Sequence, residues 1–217
     1  MAKNISRARS EKSVCSRTTL VDAFRKSVRC SIQKLRNHPE PSQRKQRKEE
    51  MKNVSATDSV LVSCADRIVW VRVQGKGSST KSTALRDFAK EMIHRGAREF
   101  IVDLRNCTVM DSTFMGTLAG ISWWLREMDE GSLSVVNPNE RNAESLCSLG
   151  LDQLFNVRVS TMKRGGQALT IPLKEDRIAR AQTMLQAHEA LIKTAPENLP
   201  KFKDVIQYLE EKLHLSK

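Results

Sequence analysis

The stretch 100–128 constrains the fold most, because it begins with the pattern of a strand and ends with that of a helix. Phe100-Ile101-Val102-Asp103-Leu104 is a short apolar run bounded by polar residues, which reads as a buried strand. The polar residues Arg105-Asn106-Cys107-Thr108 then read as a connection. After them, Asp111-Ser112-Thr113 stands directly before Phe114, Leu118, Ile121, Leu125 and Met128, whose spacings of three and four put these side chains on one helix face. An Asp or Ser just ahead of such a stripe is an N-cap signal, since its side-chain oxygen can accept from an orphan N–H of the first turn. The stretch is therefore strand, connection and capped helix, with a hydroxyl at the joint.

The flanks repeat this alternation. Val60-Leu61-Val62 and Ile68-Val69-Trp70-Val71-Arg72-Val73 read as two strands, and the short link Ala65-Asp66-Arg67 argues that they are antiparallel. Gly75-Lys76-Gly77-Ser78-Ser79-Thr80 reads as a loop, followed by a helix through Ala84, Leu85, Phe88, Met92 and Ile93 that stops at Gly96. A glycine- and lysine-bearing loop before a helix invites a phosphate-binding reading, but the P-loop spacing is missing and an ordinary strand-to-helix connection is preferred. Beyond the central stretch come a strand at Leu133-Ser134-Val135-Val136, a helix through Ala143, Leu146, Cys147 and Leu149, and an edge strand at Val157-Arg158-Val159. Strands and helices in this order predict an α/β layer structure with right-handed crossovers, and the opening hairpin makes its sheet mixed. After Gly165-Gly166, an extended segment at 168–173 is followed by two one-sided helices at about 175–193 and 200–214. Ile178, Ala181, Leu185, His188 or Glu189, and Ile192 form the apolar side of the first.

Charge separates one end of the chain from the rest. The 217 residues carry a formal net charge of +12, but residues 1–52 hold 15 Lys/Arg against 5 Asp/Glu, which leaves 22 against 20 for everything after. The basicity belongs to an arm rich in Ser, Lys and Arg that is expected to be disordered. Helical spacing of Leu20, Phe24, Val28, Ile32 and Leu35 allows an amphipathic helix within it. A nucleic-acid arm, a membrane-surface helix or an organelle transit peptide is disfavoured against a solvated tail, because Phe24 is the one aromatic residue among the basic ones and no stacking platform is formed. Met51 stands just before the first patterned segment, so a native start there is an open alternative. Five cysteines, odd in number, far apart and without a C-x-x-C, indicate neither a disulfide framework nor a zinc site. No apolar run reaches the roughly 18–20 residues that span a bilayer, and a soluble, cytoplasmic protein is expected.

The residues Val102-Asp103-Leu104, Met110-Asp111-Ser112-Thr113-Phe114-Met115-Gly116-Thr117-Leu118, Val135-Val136-Asn137 and Leu149-Gly150-Leu151-Asp152 resemble the STAS domain of anti-sigma factor antagonists. The similarity covers about residues 58–160, between the arm at 1–52 and a C-terminal helical extension at 167–217. It implies a STAS-type mixed β-sheet flanked by helices. It also implies a binding module that is not an enzyme, needs no cofactor or metal, and regulates transcription by sequestering an anti-sigma factor. In such proteins the serine after the motif's Asp is phosphorylated by an anti-sigma factor serine kinase and reset by a serine phosphatase. Ser112 is the matching position.

A phosphoryl group there would add about −1.5 to −2 charge beside Asp111, which the start of a helix tolerates but a docked partner would have to desolvate. Asp111, Thr113, Phe114, Met115 and Gly116 are expected to form the partner surface, bordered by Lys76, Gly77 and Ser78. Phe114, where the motif often has glycine, is also expected to fill the core. Trp123 and Trp124 cannot both face it, and one ring is expected to pack under the C-terminal helices. Three alternatives stand beside this reading. Ser112 could be a helix cap only. The domain could be a STAS subunit of a signalling scaffold or lipid-transport assembly without a phosphoswitch. A serine hydrolase is disfavoured, because G-x-S-x-G is missing and His38, His94, His188 and His214 bear no motif relation to Ser112.

Overall fold

Alternating burial along β2 (Ile68–Gly77) shows how the sheet is built: Val69, Val71 and Val73 are fully buried, while Ile68, Trp70 and Arg72 between them are half-buried. The computed structural model describes residues 58–128, 131–161, 169–171 and 176–214. The basic arm, with its possible helix, lies outside the described residues. The other strands are β1 (Ser59–Ala65), β3 (Glu99–Met110), β4 (Ser132–Val136), β5 (Asn156–Arg158) and β6 (Leu169–Thr170), in the sheet order β5-β4-β3-β2-β1-β6. β1 pairs antiparallel with β2 and β6, whereas β2, β3, β4 and β5 are mutually parallel. The mixed α/β sheet expected from the sequence is thus present.

The parallel strands follow chain order across the sheet, joined by α1 (Ser79–His94), α2 (Ser112–Arg126) and α3 (Glu140–Ser148). Crossovers of one hand stepping in one direction lay all three helices on the same face. Phe114, Leu118, Ile121 and Leu125 of α2 are 0–1% exposed there, in one core with Leu85 of α1, Leu146 of α3 and the strand valines. The C-terminal helices α4 (Arg177–Thr194) and α5 (Leu199–His214) follow, and α4 packs on the outer side of α2 and α1. This third layer explains why α2 is buried nearly all round, with Thr113, Met115, Gly116, Thr117 and Ser122 covered as well. The buried Asn198 fixes the α4–α5 corner, donating from Nδ2 to the carbonyls of Leu149 (3.0 Å) and Leu191 (3.1 Å).

Two predicted loops are strand instead. β2 continues through Gly75-Lys76-Gly77, and β3 continues through Arg105-Asn106-Cys107-Thr108, with Gln74 opposite Asn106, Gly75 opposite Cys107 and Gly77 opposite Met110. These segments look like loops because the sheet narrows there. β4 pairs β3 only from Glu99 to Asp103, and beyond that point the carbonyls of Cys107 and Thr108 are met by the side chains of Asn139 and Asn142. A strand flanked by polar side chains rather than by another strand has no need of an apolar run.

The buried face of α4 also differs from the expected one. Ala181, Thr183, Ala187, His188 and Leu191 are buried, Leu185 and Ile192 are half-buried, and Ile178 is 49% exposed. Small residues rather than large ones line the contact, because α2 presents glycine there and the two backbones come close.

Candidate functional site

Asp111 joins the starts of two helices. Its Oδ1 accepts from the N–H of Phe114 in α2, its Oδ2 accepts from the N–H of Ser79 in α1, both at 2.7 Å, and its own N–H donates to the carbonyl of Gly77 at 2.9 Å. The carboxylate therefore caps α2 and holds α1 beside it, a favourable place for a negative charge. Ser112 is the first residue of α2 and is not its cap. Its half-buried hydroxyl lies 3.1 Å from Nε2 of His188 on α4, a residue 76 positions further along the chain.

The geometry assigns the proton on this bond. Nδ1 of His188 is 2.8 Å from the carbonyl oxygen of Met184, which only accepts, so Nδ1 carries the hydrogen. Burial pushes the His188 pKa below its ordinary value, against the opposing pull of the Met184 carbonyl and the Asp111 carboxylate, and favours the neutral ring. Nε2 is then a bare acceptor, and the Ser112 hydroxyl donates to it. The ring is 3% exposed and rests against Phe202 of α5 with centroids 4.8 Å apart.

The other expected surface residues divide. Phe114 is fully buried and fills the core, Thr113 and Met115 are buried, and Gly116 is covered by α4. A Cβ at Gly116 would lie 2.7 Å from the carbonyl carbon and 2.9 Å from the Cβ of Ala187, so the glycine is what lets the two helices touch. Lys76 is exposed, Gly77 buried and Ser78 half-buried. Gly77 faces Phe114, whose Cδ1 would be 2.9 Å from an added Cβ. Two N–H groups of this segment already have carboxylate partners: that of Lys76 donates to Asp58 and that of Ser79 to Asp111. The ammonium of Lys81 donates to the carbonyl of Lys76, and burial lowers its pKa.

Both tryptophans are half-buried. Trp123 packs under α4 as expected, its Nε1 donating to Thr194 Oγ1 at 3.0 Å and the Lys193 ammonium 4.3 Å from its ring centroid. His188 is the site residue that motif reading misses. The signal for it is spatial: Ser112, Gly116 and Gly120 recur every fourth residue and form a slim stripe that a second helix can approach.

A mixed sheet with its helices on one face and an Asp-Ser pair at the start of the central helix defines the class. The family model described as STAS domain matches residues 59–163. The match is confined to that segment, and the α4–α5 pair lies beyond it. No curated protein sequence matches the chain. Among solved structures it is similar to a putative anti-sigma factor antagonist from Thermotoga maritima, at 16% identity over 46% of this chain and 86% of that one, with a TM-score of 0.43. It is also similar to the anti-sigma factor antagonist SpoIIAA in its unphosphorylated form, at 20% identity over 48% and 89%, TM-score 0.44. A third is an anti-sigma factor antagonist from Mycobacterium paratuberculosis, at 23% identity over 50% and 92%, TM-score 0.44. No helix among the described residues is long and apolar enough to cross a membrane.

Proposed function

We propose that the protein is an anti-sigma factor antagonist, a binding module switched by phosphorylation of Ser112 and without catalytic activity of its own. One observation carries the reading: capping of α2 is done by Asp111, so the hydroxyl of Ser112 is not used to hold the helix start. That removes the plainest structural reason for a serine at this position and leaves the hydroxyl as a group that can be modified without unfolding α2. A phosphoryl group would bring about −1.5 to −2 charge to the positive end of a helix dipole, whose effect is roughly 0.3–1 kcal/mol. The fold tolerates it, and a partner meeting this surface has to desolvate it. The proposed partners are an anti-sigma factor serine kinase and a serine phosphatase. The exposed Lys76 and the half-buried Ser78 lie at the Asp111 end of the surface as its proposed border.

The test is intact mass and phosphosite mapping of the protein recovered from cells that naturally make it, as wild type and as Ser112→Ala. One phosphoryl group on the wild type and none on the variant is expected. Equal labelling of the two removes Ser112 as the acceptor.

The Ser112–His188 contact gives a hydrolase reading one point in its favour, since a serine donating to a neutral imidazole is the start of a nucleophile-base pair. The remainder is unlike a triad: the second ring nitrogen is held by the main-chain carbonyl of Met184 rather than by a carboxylate, and the ring is sealed under Phe202. Ester hydrolysis lost in Ser112→Ala would reinstate it.

A further inference from the structure

The C-terminal pair lies outside the segment matched by the STAS family, yet α4 rests on the surface that the proposed switch needs. At one end His188 holds the Ser112 hydroxyl; in the middle the main chain of Ala187 sits against Gly116; further along Thr194 accepts from Trp123. Gln186 of α4 accepts from Arg86 of α1 at 3.0 Å.

We propose that α4 is a displaceable cover: docked on α2, it withholds the Ser112 hydroxyl from a phosphoryl donor and the α2 surface from a partner, and it must lift for either to engage. The inference rests on reading Ser112 as the phosphoacceptor.

The composition of the interface makes α4 separable from the core beneath it. The residues of α2 that face the sheet share one core with the strands and α1, to which α4 adds Leu191, and α4 otherwise covers α2 mainly with alanine, threonine and one neutral histidine. Leu191 is the single large aliphatic residue of α4 that is fully buried. A solvent-open groove of about 450 Å³ runs between α4, α1 and α2, lined among others by Gly120, Trp123, Trp124, Lys90 and Lys193, so water already reaches part of the seam. An interface made mostly of small residues beside such a groove loses less apolar burial on opening than one of large aliphatic side chains. The Asn198 corner, bonded to Leu149, lies at the far end of α4 and tethers it to the domain.

The same contacts make cover and phosphate antagonists. A phosphorylated Ser112 can no longer donate to Nε2, and its oxygens would meet a buried neutral ring with the Asp111 carboxylate nearby. Whatever free energy the phosphate costs the docked state, docking costs phosphorylation in equal measure.

The test uses the full chain with Ser112→Cys as a nearly isosteric reporter, alkylated by iodoacetamide and followed at that peptide by mass spectrometry. Covered by α4, the introduced thiol is expected to react slower than in the urea-unfolded chain by roughly tenfold or more. Adding Ala187→Leu, which drives a side chain into Gly116, is expected to recover most of that factor. Phe202→Ala, which removes the support behind His188, is a second opening variant should the first fold poorly. A reporter thiol that is as reactive in the folded as in the unfolded chain overturns the proposal, as does a rate unchanged by both variants while circular dichroism shows the fold retained. Alkylation reads the cover and phosphosite mapping reads the acceptor, so the two ideas fail separately.

Discussion

Gly116→Ala tests the packing of α4 on α2 through the sign of a stability change. In an exposed helix interior, replacing glycine by alanine stabilises by about 0.8–1.0 kcal/mol. Gly116 is not exposed: the added Cβ would sit 2.7 Å from the carbonyl carbon and 2.9 Å from the Cβ of Ala187, where carbon atoms pack at about 3.5–4.0 Å. The nearest atoms are main chain, so no rotamer change relieves the contact, and α4 has to move back by roughly 1 Å. Overpacking of this kind costs about 1–3 kcal/mol, which outweighs the propensity gain and leaves a net loss of about 0–2 kcal/mol. Gly120→Ala, one turn along the same face, is the control. Its Cβ would lie 3.9 Å from that of Ala190, an ordinary contact, so the propensity gain survives and the protein becomes more stable by about 0.5–1 kcal/mol. Urea unfolding at constant m-value measures both. Hydrogen exchange in Gly116→Ala is expected to show lost protection in α4 and retained protection in β2 and β3. Equal stabilisation by the two substitutions would refute the close approach of α4 to Gly116 and, with it, the cover.

Acidification should loosen the same contact. Burial holds the His188 pKa below its ordinary value of about 6.5, although Asp111 and the Met184 carbonyl pull it upward. As pH falls through that ordinary value, the released or unfolded chain takes up a proton before the docked one does. Stability present above it is therefore lost progressively until the lower docked pKa is passed; amide exchange of α4 across this window should accelerate in wild type and stay flat in His188→Gln. Asp111→Ala removes the acceptor for Phe114 and Ser79 together, and a loss of about 2–3 kcal/mol in urea unfolding is expected from two cap-type bonds; a loss no greater than that of a single cap would show that the α1 bond contributes nothing. Trp123→Phe keeps a ring but removes the donor to Thr194, and should cost about 0.5–1.5 kcal/mol. Matching destabilisation by Thr194→Val, with no further loss in the double variant, would assign that cost to the bond.

Most of the layer structure can be read from local patterns, since the residues that decide it are consecutive. The β1–β2 hairpin, the strands at Phe100 and Leu133, the Asp111 cap and the helix through Phe114, Leu118 and Leu125 each announce themselves within one window of the chain. The misread segments are those whose surroundings come from elsewhere. Gly75-Lys76-Gly77 and Arg105-Asn106-Cys107-Thr108 pair with each other, and the polar residues of the second meet the start of α3 rather than another strand. The same limit hides half of the candidate site. Asp111 and Ser112 are legible because a cap and a motif are local, whereas His188 reaches Ser112 only through the crossing of α4 over α2.

That crossing also changes what the exposed partner surface can be. Thr113 and Met115, expected at the partner surface, are buried in the domain, as is Phe114, also expected to fill the core, while Gly116 faces Ala187. The available rim in the docked state is Asp111, Lys76 and Ser78, with Ser112 half-buried beside them and its hydroxyl held by His188. A partner that binds only this rim would be insensitive to α4, and its affinity would not change in Ala187→Leu. A partner that needs the stripe Ser112, Gly116 and Gly120 must first displace α4, and its apparent affinity is reduced by the fraction of molecules in which α4 is lifted. If that fraction is about one in a hundred, a variant that fully opens α4 strengthens binding by about two orders of magnitude without altering any residue that touches the partner. Affinity measured against the opening seen by hydrogen exchange therefore separates the two surfaces: proportionality assigns the stripe, and independence assigns the rim.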